Sequence, residues 1–167
     1  MSKVKGSLRY LVKLEQWICC VFLVIMLAVC FGAVVMRYVF SKPLVWSEEI
    51  ILTILIWFGF LCISIGAYGD THIAIEGVYN LFPSAVRRAC DILRNLLLTV
   101  FGCLMVYFGW QVFKINLMKR LPATHLSPGV QYFPIVFGGI LTALYSAVNL
   151  LEYLIRNQEK NEEERHE

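Results

Sequence analysis

The sequence predicts an all-α integral membrane protein with four transmembrane helices, and three observations carry that prediction. Apolar residues make up 59% of the 167 and charged residues only 16%, against about 45–50% and about 25% in an ordinary soluble domain. The mean hydropathy is correspondingly high, at +0.67. Four apolar runs approach the roughly 20 residues that a helix needs to cross a bilayer. The runs are continuous and rich in Leu, Ile and Val, without the two-residue alternation of a membrane barrel strand. A helix satisfies its own backbone in lipid, so helices are the spanning form expected here.

The first span is expected over about 15–36, with its apolar run from Trp17 to Met36. The lead-in "MSKVKGSLRYLVKLEQW" is basic, as in a signal peptide. The run is longer than the roughly 7–15 residues of such a peptide's apolar region, and bulky residues follow it instead of a small-residue cleavage site. It reads as a retained membrane helix.

The second span is expected over about 48–68, with its run from Ile50 to Ala67. It is entered through "MRYVFSKPLVWSEEI". Pro43 biases Lys42 toward extended backbone. Trp46 suits headgroup depth. Ser47 is placed to cap the helix, and Glu48 and Glu49 then occupy a first turn where the macrodipole favours negative charge. Ile50 stands where a full capping box would have Glu or Gln. A sharper reading adds Arg37 and Lys42, which with Glu48 and Glu49 could lock the helix pair by ion pairs or present a patterned surface to a partner. Adjacent carboxylates on a helix point about 100° apart, which disfavours an acid–base pair.

The second connection, "YGDTHIAIEGVYNLFPSAVRRACDILRN", interleaves Ile73, Ile75, Val78, Tyr79, Leu81 and Phe82 with Glu76 and Asn80. That pattern suits a short amphipathic helix lying in the interface between spans two and three. Pro83 suits the first turn of the helix that follows. The third span is expected over about 93–114. A helix from Pro83 to Lys119 would run roughly 55 Å, so it must tilt, bend or project beyond a core of about 30 Å.

The fourth span is expected over about 132–154, its apolar run starting near Pro134. A charged tail, 157–167, follows as a solvated helix end. Residues 1–156 then form a single four-helix membrane domain.

Orientation follows from the cations, because Lys and Arg favour cytoplasmic loops. Lys3, Lys5, Arg9 and Lys13 lie before span one, Arg87, Arg88 and Arg94 near the second connection, and Arg156, Lys160 and Arg165 in the tail. Those ten face five on the other side: Arg37, Lys42, Lys114, Lys119 and Arg120. Both termini are therefore expected in the cytoplasm.

The residues that could carry chemistry are few. The six cysteines form no C-x-x-C pair and lie in or beside apolar runs, which suits small packing residues. His72, His125 and His166 have no spacing that makes a metal site. The apolar runs hold no ionisable side chain other than Cys and Tyr, and Glu15 sits at the inner edge of the first. Ion-coupled carriers draw on charged groups inside the membrane, so this chain is a poor candidate for a self-sufficient pump. No catalytic, cofactor, metal or nucleic-acid site is expected. Small residues recur every four positions at Gly139, Ala143 and Ala147, and at Ala28 and Gly32. Such stripes let helices approach closely, within the chain or against a foreign helix.

The succession "RYVFSKPLVWSEEI", a second apolar helix, "HIAIE" and "LFPSAVRRACDIL" resembles the small membrane subunit of tripartite ATP-independent periplasmic (TRAP) transporters, the DctQ type. The matching positions are Arg37, Pro43, Trp46, Ser47, Glu48, Glu49 and His72, and the resemblance covers about Leu14 to Leu154. It implies a multi-pass protein of the bacterial inner membrane. It implies two protein partners besides lipid: a large multi-helix membrane subunit and a periplasmic substrate-binding protein. The assembly would import an organic acid anion, of the dicarboxylate or sialic acid type, with a gradient of sodium or another cation. The small subunit would scaffold the large one and help dock the binding protein. Arg37, Lys42, Glu48, Glu49, Lys114, Lys119 and Arg120 would then face the periplasmic partner. Three rival readings are an assembly subunit of another membrane complex, a small multidrug-type exporter and a membrane oxidoreductase. The exporter needs an embedded Glu, for which only Glu15 is near. The oxidoreductase needs outer cysteine pairs, and neither outer connection has a cysteine.

Overall fold

A computed structural model describes residues 2–68 and 84–166, with side chains placed for 8–68 and 89–152. The expected interfacial helix, His72 and Pro83 fall outside the described residues. The elements are α1 (Ser2–Tyr38), α2 (Val45–Tyr68), α3 (Ser84–Asn116) and α4 (Gly129–His166), and every regular element among the described residues is a helix. Each contains a stretch long and apolar enough to cross a membrane: Leu8–Tyr38, Val45–Tyr68, Ala89–Asn116 and Gly129–Glu152. The protein is a multi-pass membrane protein.

The helices stand in a row. The most extensive packing joins α3 to α4, then α4 to α2, then α2 to α1. α4 is accordingly the most enclosed helix and α1 the least. On α1 the buried and half-buried positions include 8, 12, 15, 19, 22, 26, 29, 33 and 36. That alternation of four and three is the seven-residue repeat of a coiled-coil seam. It keeps one stripe of α1 against α2 along the whole span.

The α3–α4 contact depends on glycine. A Cβ on Gly102 would lie 2.7 Å from the Ala143 nitrogen and 2.9 Å from the Gly139 carbonyl oxygen. A Cβ on Gly139 would lie 2.9 Å from the Met105 Cβ. Backbone therefore meets backbone at this crossing, as small residues permit in membranes. Gly139 and Ala143 thus face α3 within the chain, and Ala147 is half-buried one turn further on. Ala28 and Gly32 differ: Ala28 is exposed, and a Cβ on Gly32 would meet nothing within 4 Å among the described residues. These two lie beside the α2-facing seam rather than on it.

One local expectation is corrected. Ser47 does not cap α2, because the helix starts earlier, at Val45. Ser47 is buried in the first turn, where its hydroxyl donates to the Leu44 carbonyl at 2.7 Å. α4 begins at Gly129, and Pro134 stands inside it. The hydroxyl of Ser127 accepts the Gly129 N–H at 3.2 Å, opening α4, and donates to the Leu117 carbonyl at 2.8 Å, just past the end of α3.

Candidate functional site: two polar ends of an apolar row

The connections α1–α2 and α3–α4 meet at one end of the row, and α2 organises them. Glu49, Thr53 and Trp57 follow one another at four-residue spacing, so they share a face of α2. Glu49 accepts from the Ala123 N–H at 2.9 Å, the Thr124 N–H at 2.8 Å and the Thr124 hydroxyl at 2.6 Å. One carboxylate thereby holds the turn of the α3–α4 connection, in which His125 takes a positive φ of 55°. One helical turn further along, the Thr53 hydroxyl donates to the Glu49 carbonyl at 2.7 Å and accepts from the Gln131 amide at 3.0 Å. Beyond it, the Trp57 indole N–H donates to the Val130 carbonyl at 3.0 Å. Trp57 also lies among the rings of Phe22, Phe133 and Phe137.

The remaining residues singled out from the sequence surround this clamp. Arg37, Lys42, Pro43, Glu48, Lys114, Lys119 and Arg120 are exposed. Among the described residues no ion pair joins Arg37 or Lys42 to Glu48 or Glu49. The helix pair is not locked by charge. The α1–α2 connection is shaped instead by its backbone: Ser41 takes a φ of 52°, and the Lys42 N–H reaches back to the Met36 carbonyl at 3.0 Å. The Lys114 ammonium lies over the Trp110 ring, 5.3 Å from its centroid, a cation–π contact. Met118, beside Lys119 and Arg120, is 97% exposed. The end therefore combines a fixed backbone with a rim of exposed cations.

The opposite end holds a group that the sequence reading set aside. Glu15 is only 4% exposed. Its carboxyl contacts the Ser64 hydroxyl of α2 at 2.6 Å and the Tyr145 hydroxyl of α4. Ser64 lies roughly 22 Å from Glu49 along α2, at 1.5 Å per residue. Glu15 is thus buried between helices near this end of the row. The reading missed it because α1 is helical from Ser2, so its α2-facing seam begins well before the apolar run at Trp17. The signal was there in the spacing, since 15 falls on the repeat formed by 8, 12, 19 and 22. One turn beyond, the Asn149 amide donates to the Ala67 carbonyl at 3.1 Å and closes the end of α2. Tyr68 packs edge-on against Tyr145.

No group of three or more His, Cys, Asp or Glu that could hold a metal ion occurs among the described residues. All six cysteines are free thiols.

Residues 25–156 match the family model described as "Tripartite ATP-independent periplasmic transporters, DctQ component". The chain is 24% identical over 148 residues to a Haemophilus influenzae protein named as a TRAP transporter small permease, covering 89% of this chain and 92% of that one. It is 29% identical over 106 residues to the sialic acid TRAP transporter permease protein SiaT of the same species, covering 64% of this chain but 17% of that longer relative. It is 23% identical over 107 residues to the C4-dicarboxylate TRAP transporter small permease protein DctQ of Vibrio cholerae, covering 64% of this chain and 46% of that one.

Proposed function

The chain belongs to the DctQ components of the TRAP transporters, and from that membership we propose that it is the scaffolding subunit of a carrier whose moving parts lie in another chain. Its partner in the bacterial inner membrane is a large permease subunit. That partner carries an organic acid anion, of the dicarboxylate or sialic acid class named in its relatives, inward on a cation gradient. Both termini lie in the cytoplasm. The clamped end then faces the periplasm, where Lys42, Lys119 and Arg120 help dock a substrate-binding protein.

The observation that carries this reading is how Glu15 and Asn149 are used. Carriers expose charged or polar groups to a pathway through the membrane. Here Glu15 spends both carboxyl oxygens on Ser64 and Tyr145, and Asn149 spends its amide on the end of α2. Each holds one helix of this chain to another. The same fact argues against an exporter working through Glu15.

The test is reconstitution. The purified chain alone in liposomes is expected to move no organic acid under a sodium or proton gradient. The same chain with a large permease subunit and binding protein of the same organism's TRAP system is expected to restore uptake. Gradient-driven flux through this chain alone would refute the proposal.

A further inference from the structure

Three polar groups are sealed between helices without a partner. Thr142 and Ser146 of α4 are fully buried, and Asn95 of α3 is 3% exposed. Among the described residues, the Thr142 Oγ1, the Ser146 Oγ and the Asn95 Oδ1 make no hydrogen bond. A helical Ser or Thr can donate to the carbonyl four residues back. Thr53 and Thr99 do so, at 2.7 Å and 2.8 Å. Thr142 and Ser146 leave that option unused. Polar atoms buried in a span are costly unless something serves them.

The packing of α3 on α4 brings the three together. The two helices run antiparallel, since Gly109 lies against Ile135 and Val136 while Gly102 lies against Gly139 and Ala143. Further along, Leu98 packs on the cluster around Tyr145. That register sets Asn95 level with about residue 148, within a turn of Ser146. Asn95 stands seven residues from Gly102, on the same face of α3, and Thr142 and Ser146 share a face of α4. Neither helix has a glycine beyond the crossing in this direction. Side chains therefore set the spacing there, and the facing polar groups stop short of one another.

We propose that Asn95, Thr142 and Ser146 form a bound-water site that bridges α3 and α4. The Asn95 Oδ1 only accepts, whereas each hydroxyl donates one hydrogen and also accepts. Water does both, so it gives a hydrogen to Asn95 and takes one from Ser146, with Thr142 a turn further along. Internal waters make about three such bonds to groups that are otherwise unserved. A cation fits less well. It would turn all three oxygens toward itself, leave the hydroxyl hydrogens without acceptors, and find no charge on these groups to balance its own. The site ties α3 to α4 beyond the reach of their glycine contact. It is independent of the transport reading, because it concerns the chain's own assembly.

Proton-detected solid-state NMR on the whole chain in lipid tests it. Magnetisation is expected to pass from water to the Asn95 side-chain amide despite its burial, and to do so far less in Ser146→Ala. No transfer in the wild type, or transfer unchanged by the substitution, overturns the proposal. Thr142→Val and Ser146→Ala each remove a hydroxyl at little change in size. Each is expected to lower the folding equilibrium constant in mixed detergent by about three- to tenfold, as loss of one hydrogen bond does. Combining either with Asn95→Leu is expected to cost less than the sum of the two. Hydroxyls without a bound partner cost nothing to remove, so unchanged or higher stability in both single variants overturns the proposal. Wild-type stability that rises when sodium replaces choline in the buffer assigns the site to a cation and overturns it as well.

Discussion

The indole N–H of Trp57 donates to the carbonyl of Val130, and that carbonyl is the one which Pro134 leaves without its helical donor. Proline has no N–H, so residue i−4 loses its bond. In lipid an unserved carbonyl is costly. α2 therefore repairs a defect built into α4, and the repair also places Trp57 among Phe22, Phe133 and Phe137.

Replacing Trp57 with Phe keeps an aromatic ring but removes the donor. The expected loss is about 0.5–1.5 kcal/mol of stability, the net worth of one hydrogen bond. Adding Pro134→Ala restores an N–H within α4 and is expected to recover much of it. Unfolding in mixed detergent, read as a double-mutant cycle, checks this. Purely additive effects would show that the two residues are not coupled.

Glu49 holds the α3–α4 connection through two backbone N–H groups and one hydroxyl. Glu49→Ala is expected to speed amide exchange at Ala123 and Thr124 by tenfold or more, the equivalent of about 1.4 kcal/mol. Spans two and four should remain protected. Thr124→Val removes only the hydroxyl and should give a smaller effect. Hydrogen exchange with mass detection separates the two.

The glycines divide into two kinds. Gly102→Leu drives a side chain into the backbone of Gly139 and Ala143, and is expected to destabilise α3–α4 by about 3 kcal/mol or more, as overpacking of a tight contact does. Gly32→Leu meets open space and should leave the isolated chain's unfolding unchanged. If Gly32→Leu nevertheless abolishes co-purification with the large subunit, that side of α1 is where the partner sits.

Lys119 and Arg120 are exposed beside the clamped turn. Reversing both to Glu is expected to raise the concentration of binding protein needed for half-maximal uptake, most strongly at low salt, because surface charge acts chiefly on encounter. Co-purification with the large subunit should be unchanged. Equal uptake at limiting binding protein would remove these residues from the docking surface.

Much of this was legible in the sequence, for a physical reason. A membrane span is signalled by length and apolarity alone, and the four helices announced themselves that way. The Gly139–Ala143 stripe was legible too, but its partner was not. Gly102 and Gly109 are seven residues apart, outside the four-residue spacing that drew attention. Glu49 was visible as a first-turn acid, which explains its charge but not its aim. Its three donors lie some 74 residues away in a connection without a motif. Glu15 was hidden differently, because hydropathy weighs residues by number and takes no account of which face they occupy. Ser47 showed the limit of capping rules: a helix that starts three residues early turns a cap into an ordinary first-turn hydroxyl.

The arrangement in a row has a mechanical consequence. α1 and α3 are the outer slats of a panel, and α4, braced by α2, is the stile to which they are fixed. Among the described residues, the most extensive packing from α1 to α3 runs through that pair. Trimming α1 is therefore expected to leave a narrower panel that still stands, while loss of α4 separates what remains into fragments. Stiffness in this protein resides in α4, the helix on which the others bear.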